Sequence, residues 1–548
     1  MFKKNLICFA LLLCFFTNPI ASQNRKKPKL VVGVVVDQMR YDYLIRFSDK
    51  FGKRGFKKLI KKGFQAENLH YNYIPTFTAV GHASIYTGTT PYNHGIIGNN
   101  WYDKYLKKSI YCVDDNNYKT VGSTTINGQK SPYRMQTTTL GDQLHLAQNM
   151  KGKTIGIAIK DRSAILPVGH TANGAYWFEG KEHGKWISSS FYMKKLPNWV
   201  NEFNQNGKVE AYVSQPWETC YDIATYTETI DDDNLFEGIF KGEGRPIFPH
   251  NIPKLRAKNG NYDIIKSIPA GNTITTDFAI AAIQGEKLGN GSHTDFLSIS
   301  YSSTDYVGHK YGVDSKEIED TYIRMDFEIE RLLDFLDKEV GKGEYTLFLT
   351  ADHAVAQIPN YLKNLKIPAD YIDNKELENF VKNITLEKFG VENLIENMSN
   401  FQIFINKETL RNNNLELRAV SNFIADNIIQ FKNIYKACTA FTLRESEFTE
   451  GLMQAVQKGY NQKFSGDVIF IPNPATLSSY YQKSGTSHGS GYSYDTHVPM
   501  LYYGFGIKKG NTKKHLDITS IAPTISSLLQ IEFPNGYSGE ILVEALKK

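Results

Sequence analysis

Four short apolar runs along the chain each stop at or just before a polar side chain. The runs cover residues 30–36, 154–159, 295–301 and 345–350, and the polar residues are Asp37, Lys160, Asp305 and Asp352. Near-continuous apolar runs of this length are typical of parallel strands that are covered on both faces. The pattern therefore predicts core strands of a parallel sheet, with polar groups near the strands' carboxyl ends.

Helical patterns lie between these runs. The clearest covers residues 318–336, where apolar residues recur every three or four positions, and we predict a capping box between Asp314 and Glu317 at its start. Strands that alternate with helices predict an α/β fold with a central, mostly parallel β-sheet between helical layers. Ligands of such sheets bind at the carboxyl ends of the strands.

Two stretches interrupt the alternation. Residues from about 172 to 272 are rich in Gly, Pro, Trp and Asn, which indicates a loop-rich insertion. Residues from about 357 to 481 mix helical patterns with a short alternating segment at 401–405, which indicates a cap-like insertion. The core pattern returns at 497–503 and ends with a helix near 517–529. We therefore expect one α/β domain over residues 23–548, enlarged by two inserted subdomains.

The first 22 residues have the pattern of a secretory signal peptide. Lys3 and Lys4 precede an apolar run at 6–16, and small or polar residues follow up to Gln23. The run is short for a membrane span, and no later stretch approaches ~18 consecutive apolar residues. We expect an exported chain, periplasmic or secreted, without stable membrane insertion.

Composition narrows the classes of function. The 548 residues include 63 Lys and Arg against 57 Asp and Glu, interspersed rather than gathered into a patch, which argues against nucleic-acid binding. Hydrophobic residues make up 41% of the chain, which excludes a disordered protein. Without the signal peptide only Cys112, Cys220 and Cys438 remain. Three cysteines are not a disulfide framework, although one pair among them stays open.

Three carboxylates and three imidazoles follow the predicted strands or lie in Gly-rich loops. They are Asp37, Asp305, His309, Asp352, His353 and His488. One such residue alone is more often a turn, cap or structural residue than a ligand. Together they form a plausible ligand set for two zinc ions with mixed nitrogen and oxygen donors. In a helix, Asp305 and His309 would share one face, and Gly308 would leave room for a ligand.

Thr76 and Thr78 lie in the motif IPTFTAVGHAS, directly before a predicted helix. A hydroxyl at a helix N-terminus meets free backbone N–H groups and the positive end of the helix dipole, which suits an attack on phosphorus. A neutral threonine is a weak nucleophile, and metal coordination would activate it. The alternative for either residue is an ordinary helix N-cap.

Seven motifs in this order resemble the alkaline phosphatase superfamily of two-metal hydrolases. They are VVDQMR, PTFTAVGHASIYTG, HGIIGNNWYD, IKDRSAILPVGH, STDYVGH, TADH and GTSHGS. The resemblance runs from about Lys29 to the C-terminus and is strongest to the PafA-type bacterial alkaline phosphatases, which are exported phosphomonoesterases. One position departs from the family pattern, because Ala354 follows the Asp-His pair where Gly is usual.

The resemblance implies an exported, zinc-dependent alkaline phosphatase that hydrolyses small phosphate monoesters through a phosphothreonine on Thr78. It implies two Zn²⁺ per chain, which activate the nucleophile and the leaving group. The implied ligands are Asp37, Thr78, Asp352 and His353 for one ion and Asp305, His309 and His488 for the other. Asn99, Lys160 and Arg162 match the trio that contacts the oxygens of the phosphoryl group.

Two other functions stay open. A nucleotide phosphodiesterase or pyrophosphatase of the same superfamily is disfavoured by Lys160 and Arg162, because a monoester dianion matches both cations whereas a diester offers one oxygen fewer. A non-catalytic surface binding protein is disfavoured by the completeness of the ligand set. Sulfatase activity is disfavoured because Thr78 lacks the C-x-P-x-R context. The natural substrate and the oligomeric state stay open.

Overall fold

The computed structural model describes residues 26–547, and the predicted signal peptide lies outside them. The strands are β1 Leu30–Val36, β2 Phe64–His70, β3 Asn100–Asp103, β4 Lys108–Tyr111, β5 Thr120–Val121, β6 Thr154–Ala158, β7 Gly174–Glu179, β8 Lys185–Ser189, β9 Asp295–Tyr301, β10 Tyr345–Thr350, β11 Asp370–Ile372, β12 Ile395–Ser399, β13 Gln402–Ile405, β14 Ile434–Thr439, β15 Val468–Pro472, β16 Thr476–Ser478, β17 His497–Gly504, β18 Gly510–Thr512 and β19 Leu516–Asp517.

The α-helices begin and end as follows: α1 Tyr43–Arg46, α2 Phe56–Lys62, α3 Thr78–Thr87, α4 Pro91–His94, α5 Leu140–Ala147, α6 Asp161–Ile165, α7 Asn198–Gln205, α8 Lys208–Val213, α9 Ile252–Leu255, α10 Ala270–Glu286, α11 Ser303–Tyr311, α12 Lys316–Leu336, α13 Pro359–Asn364, α14 Asn374–Phe389, α15 Lys407–Asn412, α16 Leu417–Ile428, α17 Ala440–Glu445, α18 Gly451–Gly459, α19 Ser493–Thr496 and α20 Ile521–Leu529.

An eleven-stranded sheet forms the centre of the molecule. Its order is β18-β2-β17-β10-β1-β9-β6-β7-β8-β5, and β19 also pairs with β2. The five strands β10, β1, β9, β6 and β7 run parallel to their neighbours, while β17 and β8 add antiparallel pairings on either side. The four apolar runs of the sequence are β1, β6, β9 and β10, with β6 one residue shorter than predicted. The mostly parallel central sheet is confirmed.

Helices cover both faces of this sheet. Tyr86 on α3 accepts a hydrogen bond from Ser298 of β9 at 3.0 Å, and Thr276 on α10 lies 3.0 Å from the hydroxyl of Tyr301 on the same strand. Ser298 and Tyr301 are three residues apart, so their side chains point to opposite faces. The predicted sheet between helical layers is therefore confirmed.

The register of the parallel strands aligns their carboxyl ends. The aligned pairs at this edge are Val36 with Tyr301, Val35 with Thr350 and Ala158 with Ser300. Whatever follows β1, β6, β9 and β10 in the sequence consequently meets at one edge of the sheet.

The predicted capping box at the start of α12 is wrong. The N-cap is Ser315, whose hydroxyl accepts a hydrogen bond from the backbone N–H of Ile318 at 3.1 Å. Asp314 instead forms an ion pair with Arg46 at 2.5 Å. Glu317 is buried and faces His250.

The two interrupting stretches contain regular structure. Residues 172–272 begin with β7 and β8 of the main sheet, and α7 to α9 with long connecting loops follow. Residues 357–481 contain a separate four-stranded sheet, β12-β13-β15-β14, and the pair β11-β16. A second hydrophobic core lies there, formed by residues such as Val381, Ile403, Ile424 and Val468. The exact boundaries of the two insertions stay predictions.

Two further features concern residues 26–547 as a whole. Cys112, Cys220 and Cys438 are unpaired. Within this range no helix has both the length and the apolar character that crossing a membrane requires.

His250, fully buried in the first insertion, lies between two carboxylates. Its Nδ1 is 2.7 Å from Glu243 Oε1, and its Nε2 is 3.1 Å from Glu317 Oε1 on α12. Burial opposes its charge, but the hydrogen bonds to both glutamates raise the pKa of His250 to about 9. The imidazolium therefore ties the insertion to α12 at neutral pH.

We expect this tie to weaken at alkaline pH. The folded-state pKa of about 9 exceeds the unfolded value of ~6.5, so the stabilisation is complete below ~pH 6.5 and is lost as the pH rises through about 9, a loss on the order of 3 kcal/mol. Denaturant unfolding between pH 6 and 10 should show a smaller alkaline loss for His250→Gln than for the wild type. The exposed His515→Gln is the matched control and should follow the wild type. Equal alkaline losses in all three proteins would contradict the assignment.

Candidate metal centre and active site

The six predicted ligands meet at the carboxyl edge of the sheet, each on an element that follows from the topology. Asp37 directly follows β1, Asp352 and His353 follow β10, Asp305 and His309 are on α11 after β9, and His488 is in the loop before α19. All three carboxylates are buried. The register of β1, β9 and β10 thus brings residues more than 250 positions apart into one cluster.

Asp305, His309 and His488 form one compact group. Nε2 of His309 lies 3.1 Å from Asp305 Oδ1, and Nε2 of His488 lies 3.6 Å from the same oxygen. The ligand atoms of these three residues are close enough to hold one metal ion. Asp305 and His309 share one face of α11, as their spacing predicted.

Asp37, Asp352 and His353 gather beside this group. Nε2 of His353 lies 3.6 Å from Asp37 Oδ1 and 3.5 Å from Asp352 Oδ2. The hydroxyl of Thr78 is 3.4 Å from the same nitrogen. By ligand-atom distance the second metal-binding group is Asp37, Asp305 and His353, so Asp305 lies within reach of both groups.

The three histidines share one hydrogen-bond arrangement. The Nδ1 atoms of His309, His353 and His488 lie 2.8, 3.0 and 2.7 Å from the backbone carbonyls of Thr486, Ala354 and Thr76, respectively. A carbonyl only accepts, so each Nδ1 carries a proton and each Nε2 faces the cluster. Metal-binding histidines are oriented in this way.

Two buried carboxylate oxygens have no partner of their own. Asp37 Oδ1 and Asp352 Oδ2 accept no hydrogen bond. Burial raises the pKa of Asp37 well above its ordinary value, and Asp352 raises it further. Burial also raises the pKa of Asp352 to about 7. Buried acceptors without donors are costly, and a divalent cation would satisfy both. The residues present therefore fit a metal centre.

Two of the three histidines are held in the neutral form that binds metals, whereas Asp305 raises the pKa of His309 despite its burial. Burial, with His488 nearby, lowers the pKa of His353 well below its ordinary value, and burial beside His309 lowers that of His488 to about 3. The rings of His353 and His488 stack with 3.4 Å between their centroids. Asp305 behaves oppositely: despite burial, His309 and Lys160 hold the pKa of its carboxyl well below the usual range.

Lys160 places its ammonium group among the carboxylates. Nζ lies 2.8 Å from Asp37 Oδ2 and 2.5 Å from Asp305 Oδ2, and it is 3.5 Å from the hydroxyl of Thr78. The side chain is almost fully buried. The carboxylate cluster thus attracts a positive charge, here supplied by the residue that the sequence predicted to contact phosphate.

Thr78 is the first residue of α3, and Phe77 is the N-cap. The N-cap alternative is therefore wrong for Thr78. Thr76 is not the N-cap either, because its hydroxyl donates to the carbonyl of Ser490 at 2.9 Å. The Thr78 hydroxyl lies instead beside His353 and Lys160, at the edge of the predicted ligand set.

Asn99 and Arg162 lie beside the ligand set and are only partly buried. Asn99 Oδ1 accepts the backbone N–H of Ala79 in α3 at 2.9 Å, so its amide nitrogen is the end left for an anion. Arg162 donates to the hydroxyl of Tyr111 at 3.0 Å, and Tyr111 in turn donates to Asp161. Both side chains are thus oriented by neighbours outside the ligand set.

Gln38 was missed by the sequence analysis, although it connects both groups. Its backbone N–H donates to Asp352 Oδ1 at 3.1 Å, and its Nε2 donates to Asp305 Oδ1 at 2.7 Å. A Cβ on Gly308 would lie 1.8 Å from Gln38 Oε1. The space at Gly308 therefore accommodates Gln38, and the expectation that it admits a ligand is wrong. The only sequence signal for Gln38 is its position after Asp37.

Two other buried residues were also missed. His82 lies one turn after Thr78 on α3, 2.8 Å from the Thr78 carbonyl through Nδ1 and 3.3 Å from Asp352 Oδ2. The four-residue spacing from Thr78 was its signal. Asp495 accepts backbone N–H groups of Gly489 and Ser490 and so fixes the loop that carries His488. Its sequence neighbourhood carries no comparable signal.

One family model, three relatives and one solved structure each match most of this chain. A family model described as type I phosphodiesterase / nucleotide pyrophosphatase matches residues 31–495. A protein of Myroides odoratus named calcium-transporting ATPase is 44% identical over the whole of both chains. Alkaline phosphatase PafA of Elizabethkingia meningoseptica is 41% identical over 95% of each chain, and alkaline phosphatase PhoV of Synechococcus elongatus is 40% identical over all of both. A crystal structure of wild-type PafA superposes with a TM-score of 0.91 over 95% of this chain and 99% of that one.

We expect metal removal to destabilise the fold, because the buried carboxylates would lose their counter-charges. Binding to the folded state at 1,000 times Kd contributes ~4 kcal/mol. Treatment with a chelator should lower Tm by several degrees, and added Zn²⁺ should restore it. His309→Ala should remove the share of the zinc-dependent increment that comes from the Asp305, His309 and His488 group, whereas the exposed His183→Ala should retain the full increment. A zinc-dependent increment as large in His309→Ala as in the wild type would contradict the assigned site.

Proposed function

The chain belongs to the type I phosphodiesterase / nucleotide pyrophosphatase family of the alkaline phosphatase superfamily, and we propose that it is an alkaline phosphatase that hydrolyses phosphate monoesters with Thr78 as its nucleophile. One observation carries the proposal. The Thr78 hydroxyl lies at the N-terminus of α3, 3.4 Å from His353 and 3.5 Å from Lys160, beside two groups of metal-binding side chains.

We assign a zinc ion to each group. Asp37, Thr78, Asp352 and His353 would hold one, and Asp305, His309 and His488 the other. The mixture of imidazole and carboxylate donors suits zinc. When bound, two ions supply Lewis-acid stabilisation of the attacking and the leaving oxygen. The hydrogen-bond arrangement shared by the three histidines and the two unpartnered carboxylate oxygens support this assignment.

The reaction would proceed in two displacements at phosphorus. In the first, a bond forms between Thr78 Oγ1 and phosphorus as the bond to the ester oxygen breaks and the alcohol leaves. The hydroxyl must give up its proton, and the Lys160 ammonium and the N-terminus of α3 both favour the resulting alkoxide. In the second, water attacks the phosphothreonine, inorganic phosphate leaves and Thr78 regains its proton.

Asn99, Lys160 and Arg162 would bind the oxygens of the phosphoryl group that take no part in bond exchange. A monoester dianion offers three such oxygens and two charges, which two fixed cations and an amide match. Tyr111 would hold the guanidinium of Arg162 in the required orientation, since its hydroxyl accepts a hydrogen bond from Arg162 at 3.0 Å. A diester would leave one of these donors unused.

Two extensions follow from the comparisons and the sequence. ATP belongs among the substrates to be tested, because the terminal phosphoryl group of ATP is itself a monoester-like dianion and a 44% identical relative is named an ATPase. Export of the mature chain is proposed from the pattern of residues 1–22 alone.

We expect the protein to prefer 4-nitrophenyl phosphate to bis(4-nitrophenyl) phosphate. Arg162→Ala should lower kcat/KM for the monoester by ~100-fold or more and should lower it less for the diester. The lost hydrogen bonds are those to the charged oxygen that a monoester has and a diester lacks. The exposed Arg411→Ala is the control and should leave the ratio of the monoester kcat/KM to the diester kcat/KM unchanged. A wild-type preference for the diester would overturn the assignment as a monoesterase.

A second expectation concerns the intermediate. Acid quenching during turnover should yield a peptide phosphorylated on Thr78. Thr78→Val should abolish this phosphopeptide and lower kcat/KM by ~10⁴-fold or more, since removal of a nucleophile has effects of this order. Thr76→Val is the matched control, because it removes an equivalent hydroxyl that bonds only to the Ser490 carbonyl. Phosphate on another residue would refute the role of Thr78.

A further inference from the structure

A cavity of about 460 Å³ lies between the catalytic core and the cap-like insertion. On the core side its wall includes Phe77, Ser487 and His488. Phe77 precedes Thr78 in the sequence, and His488 belongs to the candidate metal centre. The cavity therefore borders the candidate metal centre at His488 and extends away from it into the cap.

The cap side of the cavity is predominantly apolar. Its residues include Ile372, Leu377, Met398, Phe401, Phe470 and Leu477. Polar side chains line the rest of the cap side, among them Glu378, Asn400 and Asn473 and the exposed Asn374 and Lys375. An apolar interior with a few polar groups at the mouth is typical of a small-molecule site, and a cavity of this size accommodates a ring system.

Aromatic side chains connect the cavity to the metal-binding histidines. The ring of Phe77 meets that of His488 edge-on at 6.0 Å between centroids. Tyr481, another wall residue, stacks on His309 at 6.0 Å with an interplanar angle of 13°. The wall and the Asp305, His309 and His488 group thus form one continuous surface.

The direction of the reaction points the alcohol toward this wall. In an in-line displacement the leaving oxygen departs on the side of phosphorus opposite the attacking oxygen. With Thr78 attacking from beside His353, the leaving oxygen lies toward the Asp305, His309 and His488 group. Its substituent then extends past His488, where the cavity begins.

We propose that this cavity binds the alcohol portion of the ester and selects monoesters whose alcohol carries a planar, apolar ring. The proposal rests on the proposed function and specifies its substrate class. Burial of an aromatic ring against Phe401, Phe470 and Leu477 removes apolar surface from water, and flat rings pack well against other rings. A short or strongly polar alcohol gains none of this.

The test compares 3-phenylpropyl phosphate with propyl phosphate. Both esters release the same kind of primary alkoxide, so the chemical step is equally difficult and only the distal ring differs. We expect kcat/KM to be at least about tenfold higher for the phenyl ester, because binding retains only the surplus of burial over ordering. Equilibrium binding to Thr78→Val, which cannot turn the esters over, should show a preference in the same direction.

Two variants locate the effect. Leu477→Trp and Met398→Trp, on different cap strands, would each fill the cavity. Each should bring the ratio of kcat/KM for 3-phenylpropyl phosphate to that for propyl phosphate toward one. Leu386→Trp, on the exposed surface of the same cap, should retain the wild-type ratio. Thermal unfolding identifies any variant that fails to fold, and the wild-type ratio requires no variant.

Each outcome decides between the two proposals. Hydrolysis of both esters at a wild-type ratio near one overturns the cavity proposal and leaves the phosphatase assignment intact. A high ratio that both filled-cavity variants retain also overturns it, because the ring then binds elsewhere. Hydrolysis of neither ester instead overturns the proposed function.

Discussion

The carboxylates of Asp37, Asp305 and Asp352 lie together where almost no water reaches them, and such a cluster is stable only with cations beside it. This requirement accounts for much of the local structure. Lys160 places its ammonium between two of the carboxylates, and Gln38 donates hydrogen bonds to two of them. His353 and His488, whose pKa values burial lowers, complete the cluster without adding charge. Bound metal ions can neutralise the negative charge that remains at this edge of the sheet.

The fold supplies this arrangement through backbone geometry rather than through long side-chain networks. Parallel pairing of β1 with β9 and β10 fixes the start of each ligand-bearing segment. Backbone carbonyls then fix the tautomers of the three histidines, and α3 places Thr78 with its free N–H groups. The cap contributes differently, because it adds a separate hydrophobic core and one wall of the cavity. The core therefore carries the groups that would act on phosphorus, and the cap provides a wall that, by our proposal, selects the alcohol portion of the ester.

The sequence predicted the elements whose signal is local. A strand buried on both faces reads as an apolar run, so β1, β9 and β10 were found with their polar successors. β7 and β8 were missed because they lie in a stretch whose Gly, Pro, Trp and Asn content indicates loops, although β7 contains the apolar residues 175–178 and both strands are buried in the sheet. Gln38, Tyr111 and Asp495 were missed because each acts by orienting another residue. The partners of Gln38 and Tyr111 are distant in sequence, whereas Asp495 bonds to the nearby backbone of Gly489 and Ser490. The cap of α12 was misplaced by one residue because Arg46, far away in sequence, pairs with Asp314.

Charge balance in the proposed two-metal site favours monoesters. The three carboxylates and a Thr78 alkoxide carry four negative charges, which two divalent ions offset. Lys160, no longer needed between Asp37 and Asp305, and Arg162 then remain as two positive charges. Two positive charges match a monoester dianion and exceed the single charge of a diester. In the proposed site the same lysine would thus stabilise the carboxylate cluster without metal and would bind phosphate when the ions are present.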